Sequence, residues 1–462
     1  MGIVAVLSAM ALVVLDAGIV NVALPTIGRA LAETPARSLL VVTSYQLALL
    51  VGLLPSAHIA DRIGYRRLFL IGILLFGGSA ALCALAPTLP LLVVARILQG
   101  LGAAAIMSLG IALLRFALGP DRLPTAIAWN ALVVAFCSAL APAAGALLLS
   151  FAGWRWLFLI PLPMAAMALI AAPALPAVKA TSRSVDPLSI LLFAAAAAFT
   201  VVAAELASAA SLATLVIALG ALSSACWLFV RERRKKAPLV PLDLLAVRPF
   251  RNSVAASVLF FTGQSAGLLA LPFYIQLSLG RSATAAGLVI ALWPVAVAAA
   301  SRVASRLADR FEPGPVCAAG GIVLATGLAA IALWPFGQTI APLTAFVLVC
   351  GIGFGLFQVP NNRNMFLAAP ASRSAAAGGL QGTARLAGQT GGALLLSFFL
   401  TTTPLAIAPR LAIGLAGLAA LIAAWISWPR NAPASAGQDL GEESVTGPHL
   451  PLRPRRTLTS VL

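Results

Sequence analysis

A carboxylate stands in the middle of a long apolar run near the start of the chain. Asp16 lies in the string Leu15-Asp16-Ala17-Gly18-Ile19-Val20-Asn21-Val22-Ala23-Leu24-Pro25. An ionised acid in such a segment costs about 3 kcal/mol unless a cavity or a partner faces it. The chemistry open to this group is reversible proton binding when access to it alternates. The alternative is a neutral, hydrogen-bonded Asp16 that serves only in packing.

A second apolar run carries an arginine and an amide one helical turn apart, Arg96 and Gln99. The spacing of three residues places both side chains on one helix face. Because arginine stays protonated, Arg96 would either control the charge of a nearby acid or hold an anion. The alternative is a structural arginine that is satisfied by backbone carbonyls.

Three polar side chains follow one another at intervals of four residues in an apolar run near the end of the chain. Gln381, Arg385 and Gln389 define one polar helix face, which we expect to line a cavity. The alternative is that these side chains only hold neighbouring helices together. Further candidates for the same cavity are Tyr45, Gln46, Gln99, Asn130, Gln264 and Gln276.

The composition indicates the elements that must position these residues. The 462 residues are 61% hydrophobic and 9% charged, against about 25% charged in a soluble domain. This excludes a water-soluble enzyme or binding module, and five cysteines are too sparse for a disulfide scaffold. Since a bilayer is crossed by about 20 apolar residues, we expect an all-α integral membrane protein with 14 transmembrane helices. The predicted spans are 3–25, 39–60, 68–86, 91–114, 125–150, 155–176, 188–208, 211–230, 253–275, 283–308, 316–336, 341–362, 375–400 and 407–428.

Basic residues are distributed unevenly over the breaks between these runs. Most of them fall in alternate breaks, which the positive-inside rule assigns to the cytoplasm together with both termini. The net charge of +17 therefore reflects topology. It does not indicate a nucleic-acid partner, because the charge is never gathered on one face. We expect the densest run, Arg231 to Lys236, to contact anionic lipid.

An acidic-basic pair is repeated in corresponding positions. Asp61-Arg62-Ile63-Gly64 follows the second predicted span and Asp309-Arg310 follows the tenth. Gln264 precedes Asp309 by the same interval that separates Asp16 from Asp61. This repeat predicts two six-helix pseudo-symmetric bundles joined by an inserted two-helix hairpin, with a substrate held between the halves. The predicted boundaries are 1–176 for the first bundle, 177–252 for the hairpin and its flanks, 253–428 for the second bundle and 429–462 for a disordered cytoplasmic tail.

Together these motifs resemble the major facilitator superfamily, and specifically its 14-helix drug:proton antiporter branch. The first-helix string around Asp16, the loop Asp61 to Arg67, the string Arg96 to Gly100 and the string Trp154 to Phe158 carry the resemblance. Ala141 to Ala146 is similar to the branch's antiporter motif through Pro142 and Gly145. Two departures are that Ala141 and Ala146 replace glycines of that motif. A third is that Tyr65 replaces a basic residue of the loop motif.

The resemblance implies roles for individual residues. Asp16 would couple transport to protons and Arg96 would tune it. Pro142 and Gly145 would belong to the antiporter-motif helix. The residues expected at a cytoplasmic gate, including those of the repeat, are Asp61, Arg62, Gly64, Arg66, Asp309 and Arg310.

The resulting hypothesis is a proton-coupled secondary transporter that exports small amphiphilic compounds by alternating access. A facilitator or importer of a metabolite on the same fold is the alternative. The three lysines do not follow a glycine as a Walker A loop requires, so a nucleotide-driven pump is excluded. We expect no enzyme activity, no metal and no cofactor, with the proton gradient as the energy source. The expected protein is a monomer in the bacterial inner membrane, with protons, a small-molecule substrate and the bilayer as its partners.

Overall fold

A computed structural model describes residues 1–118, 123–176, 186–207, 211–235, 238–335, 340–370 and 373–428. In these ranges the chain is helical and contains no strand. The first-half helices are α1 (Gly2–Ala30), α2 (Pro35–Ser38), α3 (Leu40–Ile63), α4 (Tyr65–Leu85), α5 (Leu89–Leu118), α6 (Leu123–Phe151), α7 (Trp156–Leu159) and α8 (Leu162–Ala171). They are followed by α9 (Pro187–Glu205), α10 (Leu212–Glu232), α11 (Leu242–Ala246), α12 (Arg248–Phe273), α13 (Ala283–Arg310), α14 (Pro313–Leu333), α15 (Ala341–Leu367), α16 (Ser374–Thr402) and α17 (Ala408–Ser427).

Each predicted span corresponds to a helix or to a pair of short consecutive helices. The second span, 39–60, corresponds to α3, and the sixth is formed by α7 and α8. In the described part of the chain, thirteen segments are long and apolar enough to cross a membrane. The thirteenth predicted span, α16, is not among these thirteen segments; it is 29 residues long but carries the polar face of Gln381, Arg385 and Gln389. The all-helical membrane fold is therefore confirmed, and the predicted tail 429–462 lies outside the described residues.

Local sequence signals determine where several helices begin and end. The side chains of Asp186, Ser211 and Ser282 accept backbone N–H groups at the starts of α9, α10 and α13, as N-cap residues do. Gly64 ends α3 with a φ of 96°, a conformation that glycine adopts without a Cβ clash. The chain turns there in a single residue, which places Asp61 and Tyr65 on either side of the turn.

The helices pack into two groups that meet mainly along two helix pairs. In the first group α5 packs on α3 and α4, and α1 packs on α6 and α8. In the second group α12 packs on α16 and α17, and α15 packs on α13 and α14. The groups meet where α6 contacts α13 and where α3 contacts α16. Asp16 and Arg385 both lie near the middle of their helices, α1 and α16.

The pair α9 and α10 stands apart from both groups and packs mainly on itself. Helix α9 also contacts α3 and α16, which belong to different groups. At the C-terminal end of α9, Ser397 Oγ of α16 donates a 2.6 Å hydrogen bond to Glu205 Oε2. The α9–α10 hairpin thus lies against the seam between the two groups.

A cluster of charges closes the other end of this hairpin. Arg231 and Lys235 both pair with Asp186 at the start of α9. Glu232 is buried, accepts a 2.6 Å hydrogen bond from Lys235 Nζ and also accepts the backbone N–H groups of Leu239 and Val240. Part of the basic run that we expected to contact lipid is therefore engaged within the protein. Arg233 and Arg234 are exposed, and Lys236 lies outside the described residues.

Candidate functional site

The predicted first-half residues come together in one buried cluster. Helix α5 directs Arg96 toward α1, so that Arg96 Nη1 lies 2.7 Å from Asp16 Oδ2. Gln99, one turn further along α5, donates from Nε2 to Asp16 Oδ1 at 2.9 Å. Arg96 Nη1 also donates to Gln99 Oε1 at 2.7 Å. The three side chains therefore form a closed triangle of hydrogen bonds in which the carboxylate is paired and satisfied.

Neighbouring helices complete the surroundings of Arg96. Its Nε donates to the carbonyl oxygen of Val41 at 3.0 Å. Its guanidinium carbon lies 4.1 Å from the centre of the Tyr45 ring and 5.8 Å from that of Phe158, which are cation–π distances. The exposed fractions of Asp16 and Arg96 are 0% and 1%. Solvent thus has no access to the carboxylate in this conformation, and proton exchange requires the cluster to open.

The buried ion pair has a definite energetic consequence. Pairing and hydrogen bonding offset the cost of removing both charges from water, whereas removal of one partner leaves the other unpaired. The contact between α1 and α5 at this depth therefore depends on the presence of both charges.

The remaining predicted cavity residues lie on helices that face one another across the two groups. Several of their buried polar atoms have no hydrogen-bond partner among the described residues, namely Tyr45 Oη, Gln46 Oε1, Asn130 Oδ1, Gln264 Oε1, Gln276 Oε1 and Arg385 Nε. Gln276 Nε2 donates to the Val22 carbonyl at 3.2 Å. Gln381 Nε2 donates to Asn362 Oδ1 at 3.1 Å. Gln389 is half-buried, and its backbone carbonyl accepts from Ser265 Oγ at 3.0 Å. Unpaired buried polar atoms are rare in proteins and indicate a place for water or a ligand.

The residues expected at the cytoplasmic gate make their contacts within their own halves. Tyr65 Oη donates to Asp61 Oδ1 at 2.7 Å, so the tyrosine that replaces a basic residue in the loop motif still binds the carboxylate. Asp309 Oδ1 accepts from Arg363 Nη1 of α15 at 2.6 Å. The side chains of Arg62 and Arg310 are exposed, and Arg66 is partly exposed. A gate between the halves at this end stays a prediction.

The antiporter-motif helix α6 is in close contact with both groups. A Cβ atom on Gly145 would lie 3.0 Å from the carbonyl oxygen of Ile19 in α1. A Cβ atom on Gly18 would lie 2.6 Å from Ala141 Cβ, and one on Gly287 of α13 would lie 2.6 Å from the carbonyl oxygen of Pro142 and also clash with Ala146. The glycines that the motif lacks at positions 141 and 146 are thus replaced by glycines on the partner helices. Close approach of the helices is preserved because one member of each pair is small.

Sequence reasoning missed Gly287 and the amide-rich string that contains Asn361 and Asn362. Asn361 Nδ2 donates to Ser257 Oγ at 2.7 Å, and Asn362 is the partner of Gln381. Three asparagines within Asn361 to Asn364 interrupt an apolar span, which was the available signal. Gly287 carried no such signal, because its importance depends on which helix faces Ala146.

Comparisons with known proteins agree with this architecture. The family model of the Major Facilitator Superfamily matches residues 6–393. The uncharacterized transporter YebQ of Escherichia coli (strain K12) is 36% identical over 404 residues, which cover 84% of this chain and 86% of the relative. The multidrug efflux pump LfrA of Mycolicibacterium smegmatis is 32% identical over 399 residues, which cover 84% and 78%. The multidrug resistance protein Stp of Mycobacterium tuberculosis (strain ATCC 25618 / H37Rv) is 31% identical over 425 residues, which cover 90% and 74%.

Solved structures show the same fold at low sequence identity. A POT family transporter in complex with 5-aminolevulinic acid has a TM-score of 0.70 and 15% identity, with 92% of this chain and 94% of that chain covered. A D-xylose-proton symporter has a TM-score of 0.66 and 15% identity, with 92% and 96% covered. The protein is accordingly a multi-pass membrane transporter for small molecules and not an enzyme. The chain belongs to the Major Facilitator Superfamily.

Proposed function

We propose that this protein exports small amphiphilic compounds across the bacterial inner membrane in exchange for protons. The observation that carries the proposal is the Asp16–Arg96–Gln99 cluster, an ionisable carboxylate at mid-membrane depth whose charge is balanced by one arginine. Relatives described as multidrug efflux pumps support export of amphiphilic compounds. The bias of basic residues supports an orientation with both termini in the cytoplasm.

The position of Asp16 on α1 suggests how protonation would act on the conformation. The same helix carries Ile19, which packs on Gly145, and Val22, whose carbonyl accepts a hydrogen bond from Gln276 in the helical turn that follows α12. Both contacts lie within two helical turns of Asp16 and connect α1 to the helices around the cavity. A proton on Asp16 removes the charge that holds Arg96, so α1 and α5 can shift relative to each other. These contacts then change with the charge state.

The contact between α6 and α13 supports a conformation in which the two halves meet at the outer end. Gly287 lies at the start of α13, whereas Asp309 lies at its end. The close packing of Gly287 on Pro142 and Ala146 therefore joins the halves at the end opposite the Asp61 loop. With that loop on the cytoplasmic side, as the proposed orientation has it, this contact would close the outer end of the path between the halves. Alternating access then requires α6 and α13 to separate.

Efflux from intact cells tests this function. Cells of a pump-deficient host would be loaded with aromatic amphiphiles of charge +1, 0 and −1, namely ethidium, Nile red and 1-naphthoate. We expect expression of the protein to lower the accumulation of at least one compound, and an uncoupler to abolish the difference. Raised accumulation that the uncoupler leaves unchanged would instead identify the protein as a facilitator or importer.

A further inference from the structure

Arg385 lies on the part of α16 that faces the seam between the two halves. On one side of it, a Cβ atom at Gly382 would contact Leu53 of α3 at 3.0 Å. On the other side, a Cβ atom at Gly388 would lie 2.5 Å from the carbonyl oxygen of Val258 in α12. Helical geometry places Arg385 between these two contact faces. The guanidinium therefore belongs to the region that both halves enclose.

The two arginines in the membrane interior have opposite surroundings. Arg96 is paired with Asp16 and donates to the carbonyl of Val41. Arg385 has no ion pair among the described residues, and its buried Nε has no hydrogen-bond partner there. The pairing that neutralises Asp16 also means that its charge is not available to Arg385.

Acidic side chains elsewhere in the described chain are engaged away from Arg385. Their partners are Arg37 for Glu33, Tyr65 for Asp61, Arg231 and Lys235 for Asp186, Ser397 for Glu205, Lys235 for Glu232, Arg373 for Asp243 and Arg363 for Asp309. The remaining acid of the described residues, Glu312, precedes α14 and is exposed. No carboxylate of these residues thus serves as the counter-charge of Arg385.

The amides on α16 and on the adjacent helix α12 carry no charge, so Arg385 determines the sign of the ligand charge. Gln381 and Gln389 lie one turn before and after it on α16, and Gln264 projects from α12 with a partnerless buried oxygen. An amide both donates and accepts, so these residues can adapt to many polar groups. A guanidinium only donates and stays positive, and it matches the two oxygens of a carboxylate.

We infer that the transported compounds carry an anionic, carboxylate-type group that Arg385 binds, attached to an apolar body. This inference rests on the proposed export function, of which it names the substrate class. It favours weak acids and zwitterions over cations, because the acid at this depth is already paired with Arg96. A bound carboxylate would supply the counter-charge that the described residues do not.

Binding to the purified full-length protein in detergent tests the inference. The probes are 1-naphthoate, the neutral 1-naphthamide and the cation 1-naphthylmethylammonium, which share one aromatic body. We expect 1-naphthoate to bind about tenfold or more tightly than either analogue, as a charge-assisted pair implies. Arg385→Gln should abolish that preference, and Arg385→Lys should retain part of it. The matched control is Arg302→Gln, which removes an exposed arginine of α13 and should leave the preference unchanged.

Several results would overturn the inference. They are equal or weaker binding of 1-naphthoate than of either analogue, no binding of any probe to the wild type, and an unchanged preference in Arg385→Gln. Failure of both Arg385 variants to fold would also count against it, because an unpaired charge should not be needed for folding. The comparison of the three probes on the wild type does not depend on any variant.

Proton movement in proteoliposomes separates this inference from the proposed function. If transport of 1-naphthamide or 1-naphthylmethylammonium is accompanied by proton movement and that of 1-naphthoate is not, the proposed proton-coupled export is supported and the anionic substrate class is wrong. If 1-naphthoate binds through Arg385 but its transport moves no protons and does not respond to Asp16→Asn, the substrate class stands and proton-coupled export is wrong.

Discussion

Arg96 Nη1 lies 2.7 Å from both Asp16 Oδ2 and Gln99 Oε1, so a single guanidinium nitrogen joins α1 to α5. Both charged side chains are almost completely buried. Each charge is therefore balanced by the other and by hydrogen bonds from the same few side chains. This relationship is the centre of the proposed proton coupling.

The two charges should depend on each other for stability. Asp16→Asn or Arg96→Gln alone should lower the free energy of unfolding by about 3 kcal/mol, because each leaves one buried charge unpaired. The double variant should lose clearly less than the sum of the two, since it leaves no unpaired charge. Thermal melting in detergent measures the stability of the wild type, the two single variants and the double variant. Strict additivity of the two changes would contradict a direct pair.

Gly287 should be intolerant of even one methyl group. Gly287→Ala would press a Cβ atom against the Pro142 carbonyl and Ala146, at a cost of about 1–3 kcal/mol for overpacking. We expect faster hydrogen exchange over residues 283–290 as α13 separates from α6. Gly78→Ala is the matched control, because nothing lies within 4 Å of a Cβ atom there. The same exchange rates in both variants would show that the α6–α13 contact is not tight.

The charge cluster of the hairpin should protect the segment that follows α10. Glu232→Ala removes the acceptor of the Leu239 and Val240 N–H groups, so trypsin should cleave faster at the exposed Arg233 and Arg234. The hydrogen bond from Lys235 lowers the pKa of Asp186 below its ordinary value. The stabilising contribution of Asp186 is therefore fully present above the ordinary carboxyl range and is lost as the pH falls below it.

Trypsin digestion of this segment at pH 8 thus probes the cluster in its charged form. Glu312→Ala, a change at an exposed acid before α14, is the control and should leave the cleavage rate unchanged. Equal cleavage rates in the wild type and Glu232→Ala would mean that Glu232 does not hold the segment.

The sequence predicted the membrane helices well because bilayer thickness sets their length. The sequence predicts α16 as well, although this helix with its polar face is not among the thirteen described segments that are long and apolar enough to cross a membrane. The partner of Asp16 was harder to assign, since Arg96 is 80 residues away and only helix packing brings the two together. The sequence also did not show that Gly287 on α13 lies against Ala146, because only helix packing brings these two residues together. The basic run that begins at Arg231 was assigned to lipid because the sequence did not show that Asp186 lies beside it.

Proton movement that accompanies substrate transport is the most direct test of the role of Asp16. Wild-type and Asp16→Asn proteins would be reconstituted in liposomes that enclose a pH-sensitive dye, with a compound identified by the efflux experiment as substrate. Asparagine has a side chain of similar size, but its amide neither binds nor releases a proton near neutral pH. We predict that Asp16→Asn abolishes substrate-dependent proton movement, while substrate still equilibrates down its own gradient. Proton movement at the wild-type rate in Asp16→Asn would contradict the account.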